Sequence, residues 1–158
     1  MKRAFVSRSF VTVRLSFVND MNNKMTVGVV GAGTMGRGIA QVAAAAGHEV
    51  RLLDRSAAVL EEAQTFLAKI QDRSVAKGRV SRIEADALLQ RIHREQDVAM
   101  MSDCGLVIEA IVERQDIKGE LFAQLETVVT RDCVLATNTS SLSVTALAAG
   151  LKHPDRFV

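Results

Sequence analysis

Short apolar runs alternate with longer segments of helical periodicity along most of the chain. The short runs are rich in β-branched residues and end at polar or glycine residues, which is typical of buried strands. They predict strands at Thr26–Val30, Glu49–Leu53, 106–111 and 133–136. The longer segments repeat apolar residues every three to four positions. They predict helices at 35–46, 56–76, 115–129 and 143–149.

Further signals complete this order of elements. Ser81 followed by Glu84 forms the pattern of a capping box, which predicts another helix from Ser81 with Ile92 on its apolar stripe. Residues 94–101 are predicted to hold a short third strand and a turn, and 156–158 the start of one more strand. Strands that alternate with helices form parallel βαβ units. The predicted fold class is therefore α/β: a Rossmann-type, doubly wound, mostly parallel sheet with helices on both faces.

Charge separates the first 24 residues from the rest. The formal net charge is +2, yet residues 1–24 hold five basic side chains against one acidic side chain, Asp20. Residues 1–24 are therefore predicted to be an extension outside the fold, and 25–158 a single domain. A mitochondrial transit peptide and a start codon upstream of the real one, at Met21 or Met25, both explain such a segment. The predicted location is cytoplasmic, with the mitochondrial matrix as the alternative.

Composition argues against several other classes of protein. The nearly neutral body and the absence of Trp and Tyr do not favour nucleic-acid binding. No apolar run reaches the length of about 18–20 residues that a membrane span needs. The two cysteines, Cys104 and Cys133, match no metal-binding spacing. We expect them to be reduced thiols in the core, and we predict neither a metal nor a nucleic-acid or membrane partner.

A glycine-rich turn lies between the first predicted strand and helix. Its residues are Gly31, Ala32, Gly33, Thr34, Met35 and Gly36, which fit the pattern G-x-G-x-x-G. Gly31 permits the tight turn, Gly33 lets a pyrophosphate approach the backbone, and Gly36 lets the helix pack against the strand. The amide groups at the helix N-terminus then bind the phosphates. This context predicts a dinucleotide-binding loop.

Asp54 stands at the end of the second predicted strand, 18 residues after Gly36. A carboxylate at this position accepts hydrogen bonds from the adenosine ribose hydroxyls. Because its charge would repel a 2′-phosphate, the sequence favours NAD over NADP. Arg55, which could serve a 2′-phosphate, is the contrary signal, and a solvated turn residue is the alternative for Asp54.

Polar residues follow two later strands at the edge of the sheet where ligands bind. Glu113 and Lys118 come after the strand at 106–111, and the five residues 137–141 (Thr-Asn-Thr-Ser-Ser) come after the next strand. Their hydroxyl and amide groups could bind a ligand. The alternative is a polar loop before a helix that Ser143 caps.

Three segments resemble the L-3-hydroxyacyl-CoA dehydrogenases. They are VGVVGAGTMGRGIAQVAAAAGHEVRLLD at 27–54, LVIEAIVERQDIKGELFAQLE at 106–126 and LATNTSSLSVTALAAGLKHPDRFV at 135–158. The resemblance covers essentially all of 25–158, and the last two segments are its most specific part. It implies oxidation of an (S)-3-hydroxyacyl-CoA to the 3-ketoacyl-CoA with NAD.

The resemblance also implies roles for individual residues. The glycine loop would hold the pyrophosphate and Asp54 the ribose, while Glu113 and Lys118 would lie along the cofactor. Asn138 would lie near the nicotinamide, and Ser140 would hydrogen-bond the reacting oxygen of the substrate. Lys77 falls in a region that contacts CoA in relatives, although a solvated surface lysine is the alternative.

The resemblance ends before the catalytic base of the family. That base is a histidine in a G-x-H-F-F-N-P motif, which would begin after Val158. The glutamate that orients the histidine and the C-terminal helical domain would also follow. His48, His93 and His153 do not match the motif and are expected at the surface, so this chain alone is expected to be inactive.

A full-length form would be a homodimer by the same resemblance. Two alternatives stay open: a stand-alone NAD-binding module without catalysis, and a Rossmann oxidoreductase of the 3-hydroxyacid or 6-phosphogluconate type. The polar segment at 137–141 argues against the second alternative.

Overall fold

Five strands form one sheet in the computed structural model, which describes residues 24–158. They are β1 (Thr26–Val30), β2 (Glu49–Leu53), β3 (Ile92–Glu95), β4 (Leu106–Glu109) and β5 (Val134–Thr137). Their order in the sheet is β3-β2-β1-β4-β5, and every strand pair is parallel. The predicted α/β fold is confirmed, and the predicted extension lies outside the described residues except for Lys24.

Helices cover both faces of this sheet. They are α1 (Thr34–Ala45), α2 (Ala57–Ala76), α3 (Arg82–Gln90), α4 (Gln115–Val128) and α5 (Val144–Ala148), with 3₁₀ turns at Val98–Met101 and Pro154–Arg156. Buried side chains of α1, α2 and α3 pack on one face of the sheet. Those of α4 and α5 pack on the other face, where the ring of Phe122 is fully buried and meets Phe157 edge to face. The result is three layers with a core on each side of the sheet.

The strand order fixes where a ligand can enter. The chain proceeds from β1 through β2 to β3 and then returns to place β4 on the other side of β1. The connections from β1 and β4 therefore leave in opposite directions at the carboxyl ends of these strands. This switch point is where doubly wound sheets bind their ligands.

The third strand is displaced from its predicted position. It begins at Ile92 because Ile92 pairs with Val50 and Glu95 pairs with Leu53. Helix α3 consequently ends at Gln90, so Ile92 does not belong to its apolar stripe. The alternating residues of this edge strand gave too weak a pattern to separate it from the end of the helix.

Some apolar side chains of the helices face outward rather than into the core, among them Val42 and Phe66. Val42 of α1 is 71% exposed, because α1 turns Gly36, Ala40 and Ala44 towards the sheet instead. Phe66 of α2 is also partly exposed and carries a guanidinium group over its ring. Small side chains therefore form the fully buried face of α1, and Ile39 packs partly buried beside them.

The predicted environment of the cysteines and of the last residues is largely confirmed. Cys104 and Cys133 are buried, and burial raises the pKa of their thiols to about 12 and about 11. Both thiols are therefore protonated at neutral pH. Phe157 forms a single parallel bridge with Leu135, which places the predicted last strand next to β5.

Candidate active site

The glycine loop has the geometry that a dinucleotide needs. Gly31 has a φ of +102°, a conformation that favours glycine. A Cβ on Gly36 would lie 1.7 Å from the carbonyl oxygen of Gly31, so the helix can start here only with glycine. A Cβ on Gly33 would meet nothing within 4 Å. The loop thus combines a tight turn with open space beside Gly33.

The N-terminus of α1 presents uncapped amide groups to that space. Gly33 is its N-cap residue and provides no side-chain hydrogen bond. By contrast, Ser56, Ser81 and Ser143 cap α2, α3 and α5 with their hydroxyl groups. Free amide groups and the positive end of the helix dipole together favour a bound phosphate.

A cavity of about 630 Å³ opens at the carboxyl ends of β1, β2 and β4. Its volume lies in the range of pockets that hold cofactors. Its walls are formed by the glycine loop, the end of β2, the turn after β3, the end of β4 and one face of α4. Lining residues include Gly31, Gly33, Asp54, Val98, Ile111 and Leu121. The apolar residues among them suit an adenosine, and the charged lining residues are Asp54, Arg55 and Asp97.

Asp54 is oriented by the backbone on both sides. Its Oδ2 accepts a hydrogen bond from the amide of Ala32 at 2.9 Å, and its Oδ1 accepts one from the amide of Ser56 at 3.0 Å. The carboxylate therefore links the glycine loop to the start of α2. A carboxylate retains further lone pairs, so these bonds leave acceptor capacity for ribose hydroxyls.

A second group of polar residues forms where β4 and β5 end. The Oε1 atom of Glu113 accepts hydrogen bonds from the hydroxyl of Thr139, the amide of Ser140 at 3.2 Å, and both the amide and the hydroxyl of Ser141. One carboxylate oxygen thus holds three consecutive residues of the loop at 137–142. Asn138 and Ser140 are exposed, and within residues 24–158 their side chains have no hydrogen-bond partner.

Lys118 lies beneath this loop between two carboxylates. Its Nζ is 2.6 Å from Oε2 of Glu113 and 3.0 Å from Oε2 of Glu109, and its side chain is 1% exposed. Burial alone would lower the pKa of Lys118, but the hydrogen bonds to Glu113 and Glu109 outweigh it and raise the pKa. The hydrogen bonds from Lys118 and Thr139 in turn lower the pKa of Glu113 to about 2. Glu113 and Lys118 are therefore both charged at neutral pH.

The comparisons with known proteins agree with this geometry. The profile of the family "3-hydroxyacyl-CoA dehydrogenase, NAD binding domain" matches residues 26–158. The chain belongs to this family. NAD as the cofactor, predicted from the glycine loop and Asp54, is thereby confirmed, as is the family resemblance.

Individual relatives are longer than this chain. The chain is 43% identical over 136 residues to 3-hydroxyadipyl-CoA dehydrogenase of Escherichia coli, covering 86% of this chain and 29% of that protein. It is 44% identical over 133 residues to 3-hydroxybutyryl-CoA dehydrogenase of Mycobacterium tuberculosis, covering 84% of this chain and 46% of that protein. The chain therefore spans less than half the length of these relatives.

A crystal structure has the same fold. The 3-hydroxybutyryl-CoA dehydrogenase of Escherichia coli superposes with a TM-score of 0.83 at 42% identity, over 85% of this chain and 29% of that one.

Within residues 24–158, no helix is long and apolar enough to cross a lipid bilayer.

The structure groups most of the predicted site residues but not all of them. The glycine loop and Asp54 line the cavity, while Glu113, Lys118 and Ser140 form the second group. Lys77 lies outside both groups. It is the C-cap of α2, a helix of 20 residues that spans about 30 Å and has Ser56, next to Asp54, at its other end.

The three histidines also lie elsewhere. His48 precedes β2, His93 lies in the edge strand β3 against Glu49, and His153 precedes the last 3₁₀ turn. His93 is exposed, as predicted, whereas His48 and His153 are partly buried. None of the three makes a hydrogen bond to the loop at 137–142.

Glu109 is the residue that sequence reasoning missed, and Thr137 was predicted only as one member of the polar segment at 137–141. Glu109 is fully buried at the end of β4 and accepts a hydrogen bond from the hydroxyl of Thr137 at 2.6 Å. The available signal was a charged residue at the end of the apolar run LVIE, since a carboxylate is rarely buried without a partner.

Proposed function

We propose that this chain is the cofactor-binding part of an enzyme that oxidises an (S)-3-hydroxyacyl-CoA to the 3-ketoacyl-CoA with NAD. The observation that carries the proposal is the position of Ser140. Its free hydroxyl lies in a loop that Glu113 holds at the carboxyl ends of β4 and β5, at the same edge of the sheet as the cofactor cavity. Family membership and the names of the relatives support the substrate class.

The residues of the first group would hold the adenosine half of NAD. The amide groups of Gly33, Thr34 and Met35 would bind the pyrophosphate, and Gly31, Ala32 and Gly36 would shape the turn around them. Asp54 would accept hydrogen bonds from the ribose. The open space beside Gly33 fits this assignment because a phosphate needs close access to the backbone there.

The second group would border the nicotinamide half. Glu113 and Asn138 are exposed next to the cavity wall formed by Ile111 and Val112, whereas Lys118 lies behind Glu113 and would act through it. NAD, when bound, accepts the hydride that leaves C3 of the substrate. Ser140 would donate a hydrogen bond to the oxygen on that carbon.

The proton of the substrate hydroxyl needs a separate base. Such a base must lie within about 2.6–3.2 Å of that oxygen, and a serine hydroxyl does not take up a proton at neutral pH. The three histidines make no hydrogen bond to the loop of Ser140 within residues 24–158. We therefore propose that residues beyond those described supply the base, most of the acyl-CoA site and the contacts of a homodimer, with Lys77 as a distant contact for CoA.

The boundary of the domain is part of the same proposal. The described strands and helices bury their apolar faces against one another from Met25 onward. We propose residues 25–158 as the NAD-binding domain and 1–24 as an extension that it does not need. A cytoplasmic location, or the mitochondrial matrix if the extension is a transit peptide, is proposed with it.

The test is an assay of cofactor binding and turnover on the 158-residue chain. We expect calorimetry to detect NAD binding, and we expect the nicotinamide absorbance to stay constant with NADH and acetoacetyl-CoA. Failure to bind NAD would contradict the proposed function. Turnover near the usual enzyme median of about 10 s⁻¹ would show that a residue of this chain is the base.

A further inference from the structure

Glu109 is a buried carboxylate with two contacts that lead towards the loop of Ser140. It is 0% exposed at the end of β4. Its Oε1 accepts a hydrogen bond from the amide of Ile111 at 2.7 Å, and its Oε2 meets both the hydroxyl of Thr137 and Nζ of Lys118. A fully buried carboxylate is retained only with such partners. The contact with Ile111 lies at the wall of the cavity, whereas the contacts with Thr137 and Lys118 lead towards the loop.

Two routes connect Glu109 to the loop. In the first, the Thr137 hydroxyl donates to Glu109 and accepts a hydrogen bond from the amide of Thr139 at 3.3 Å. In the second, Lys118 joins Glu109 to Glu113, which holds the amides of Ser140 and Ser141. Both routes end on the residues that surround Ser140.

The charge of Glu109 matters as well as its shape. Lys118 is as buried as Glu109, while its other partner, Glu113, has a side chain that is 38% exposed. A lysine ammonium is strongly hydrated and would leave the interior if only an exposed carboxylate held it. Glu109 therefore keeps Lys118 beneath the loop, where Lys118 fixes the carboxylate that grips the loop.

We propose that Glu109 is a positioning residue, which sets the place of Ser140 through Thr137 and Lys118. This inference rests on the proposed function for the role of Ser140, although the positioning itself is a property of the described residues. Glu109 touches neither substrate nor cofactor in this proposal. Its effect on Ser140 reaches the site through the loop at 137–142.

The test compares variants that break the first route with variants that keep it. Thr137→Val removes only the hydroxyl, while Thr137→Ser restores it. Glu109→Gln keeps the shape and removes the charge. The matched control is Glu126→Gln, which alters another buried carboxylate at the other end of α4. The readouts are the backbone amide resonances of Ser140 and Ser141 and the affinity for NAD.

We expect Thr137→Val and Glu109→Gln to shift both amide resonances and to weaken NAD binding about fivefold, the effect of one ordinary hydrogen bond. Thr137→Ser is expected to restore both readouts, and Glu126→Gln is expected to leave them at the wild-type values. If Glu109→Gln does not fold, the pair at Thr137 decides the question alone.

Unchanged amide resonances in a folded Thr137→Val variant would overturn the proposal, as would a Thr137→Ser variant that behaves like Thr137→Val. Absence of NAD binding in the wild-type chain would instead overturn the proposed function. The amide resonances would still report on positioning in that case, so the two failures are distinguishable.

Discussion

The two ends of α4 each bury a network of charged groups. Near its start lies the site network, which consists of Glu109, Glu113 and Lys118. Near its end lies a second network, called the Glu126 network, which consists of Glu126 and Arg156 with the backbone around them. Glu126 accepts hydrogen bonds from the amides of residues 152 and 153 at 2.8 and 2.9 Å, and Nη2 of Arg156 lies 3.8 Å from it.

The networks differ in charge balance and in exposure. The Glu126 network pairs one carboxylate with one guanidinium, and these side chains are 5% and 6% exposed. The site network has two carboxylates around one ammonium, and one of them, Glu113, has a side chain that is 38% exposed. The Glu126 network therefore only connects the last described residues to α4. The site network keeps an anionic group next to the loop at 137–142.

Removal of the cation should have the largest effect and should separate the two networks. Lys118→Met leaves the fully buried carboxylate of Glu109 without its charged partner, which destabilises a protein by about 3–5 kcal/mol. Arg156→Met should also lower the free energy of unfolding, because the carboxylate of Glu126 loses its charged neighbour. Urea unfolding of both variants measures these losses.

Cofactor binding then distinguishes their roles. At low temperature, where both variants are folded, we expect Lys118→Met to weaken NAD binding and Arg156→Met to leave the Kd unchanged. Equal Kd values for both variants and the wild type would remove the distinction between the two networks.

Two variants of the glycine loop should separate an effect on folding from an effect on NAD binding. Gly36→Ala places a Cβ 1.7 Å from a backbone oxygen, and overpacking of this kind destabilises by about 1–3 kcal/mol. Gly33→Ala meets no atom and keeps an ordinary φ of −66°. We expect it to retain its melting temperature but to bind NAD at least about tenfold more weakly. The reverse pattern would show that the phosphate does not approach Gly33.

The stabilising effect of the ionised Glu113 carboxylate should be lost at low pH, and a titration of Glu113 should show this loss. Lys118 and Thr139 hold the pKa of its carboxyl at about 2, against an ordinary value of 4.5. Because the folded-state pKa is depressed, its stabilising effect is complete above pH 4.5 and is lost as the pH falls through about 2. Carbon-detected NMR titration of the Glu113 carboxyl is the measurement. A midpoint near 4.5 in the folded chain would show that the loop does not hold Glu113.

Sequence patterns predicted the parts of the molecule that local physical chemistry determines. The bounds of β1 and β2 agree with the predicted ones, and the capping box of Ser81 and Glu84 is present. Gly31 has the positive φ that the motif demands. Each of these features depends on residues that are near one another in the chain, so one sequence is sufficient to predict it.

Other features depend on distant partners. Nothing local in the sequence shows that Glu126 would meet Arg156, or that Glu109 would meet Thr137, 28 residues later. The outward orientation of Val42 likewise follows from how α1 packs on the sheet. Glu113 and Lys118 were predicted as cofactor residues from the resemblance. Only the fold shows that Glu113 accepts hydrogen bonds from the loop at 137–142 and pairs with Lys118.

The most direct test of the account concerns Asp54, since the central claim is that NAD binds in the cavity beside it. The measurement is calorimetric titration of NAD and NADP into the wild-type chain and into Asp54→Ala. A charge-assisted hydrogen bond contributes about 1.5–3 kcal/mol, so the account predicts a preference for NAD and a loss of roughly 10- to 100-fold in Asp54→Ala. A wild-type preference for NADP, or an unchanged NAD affinity in Asp54→Ala, would contradict it.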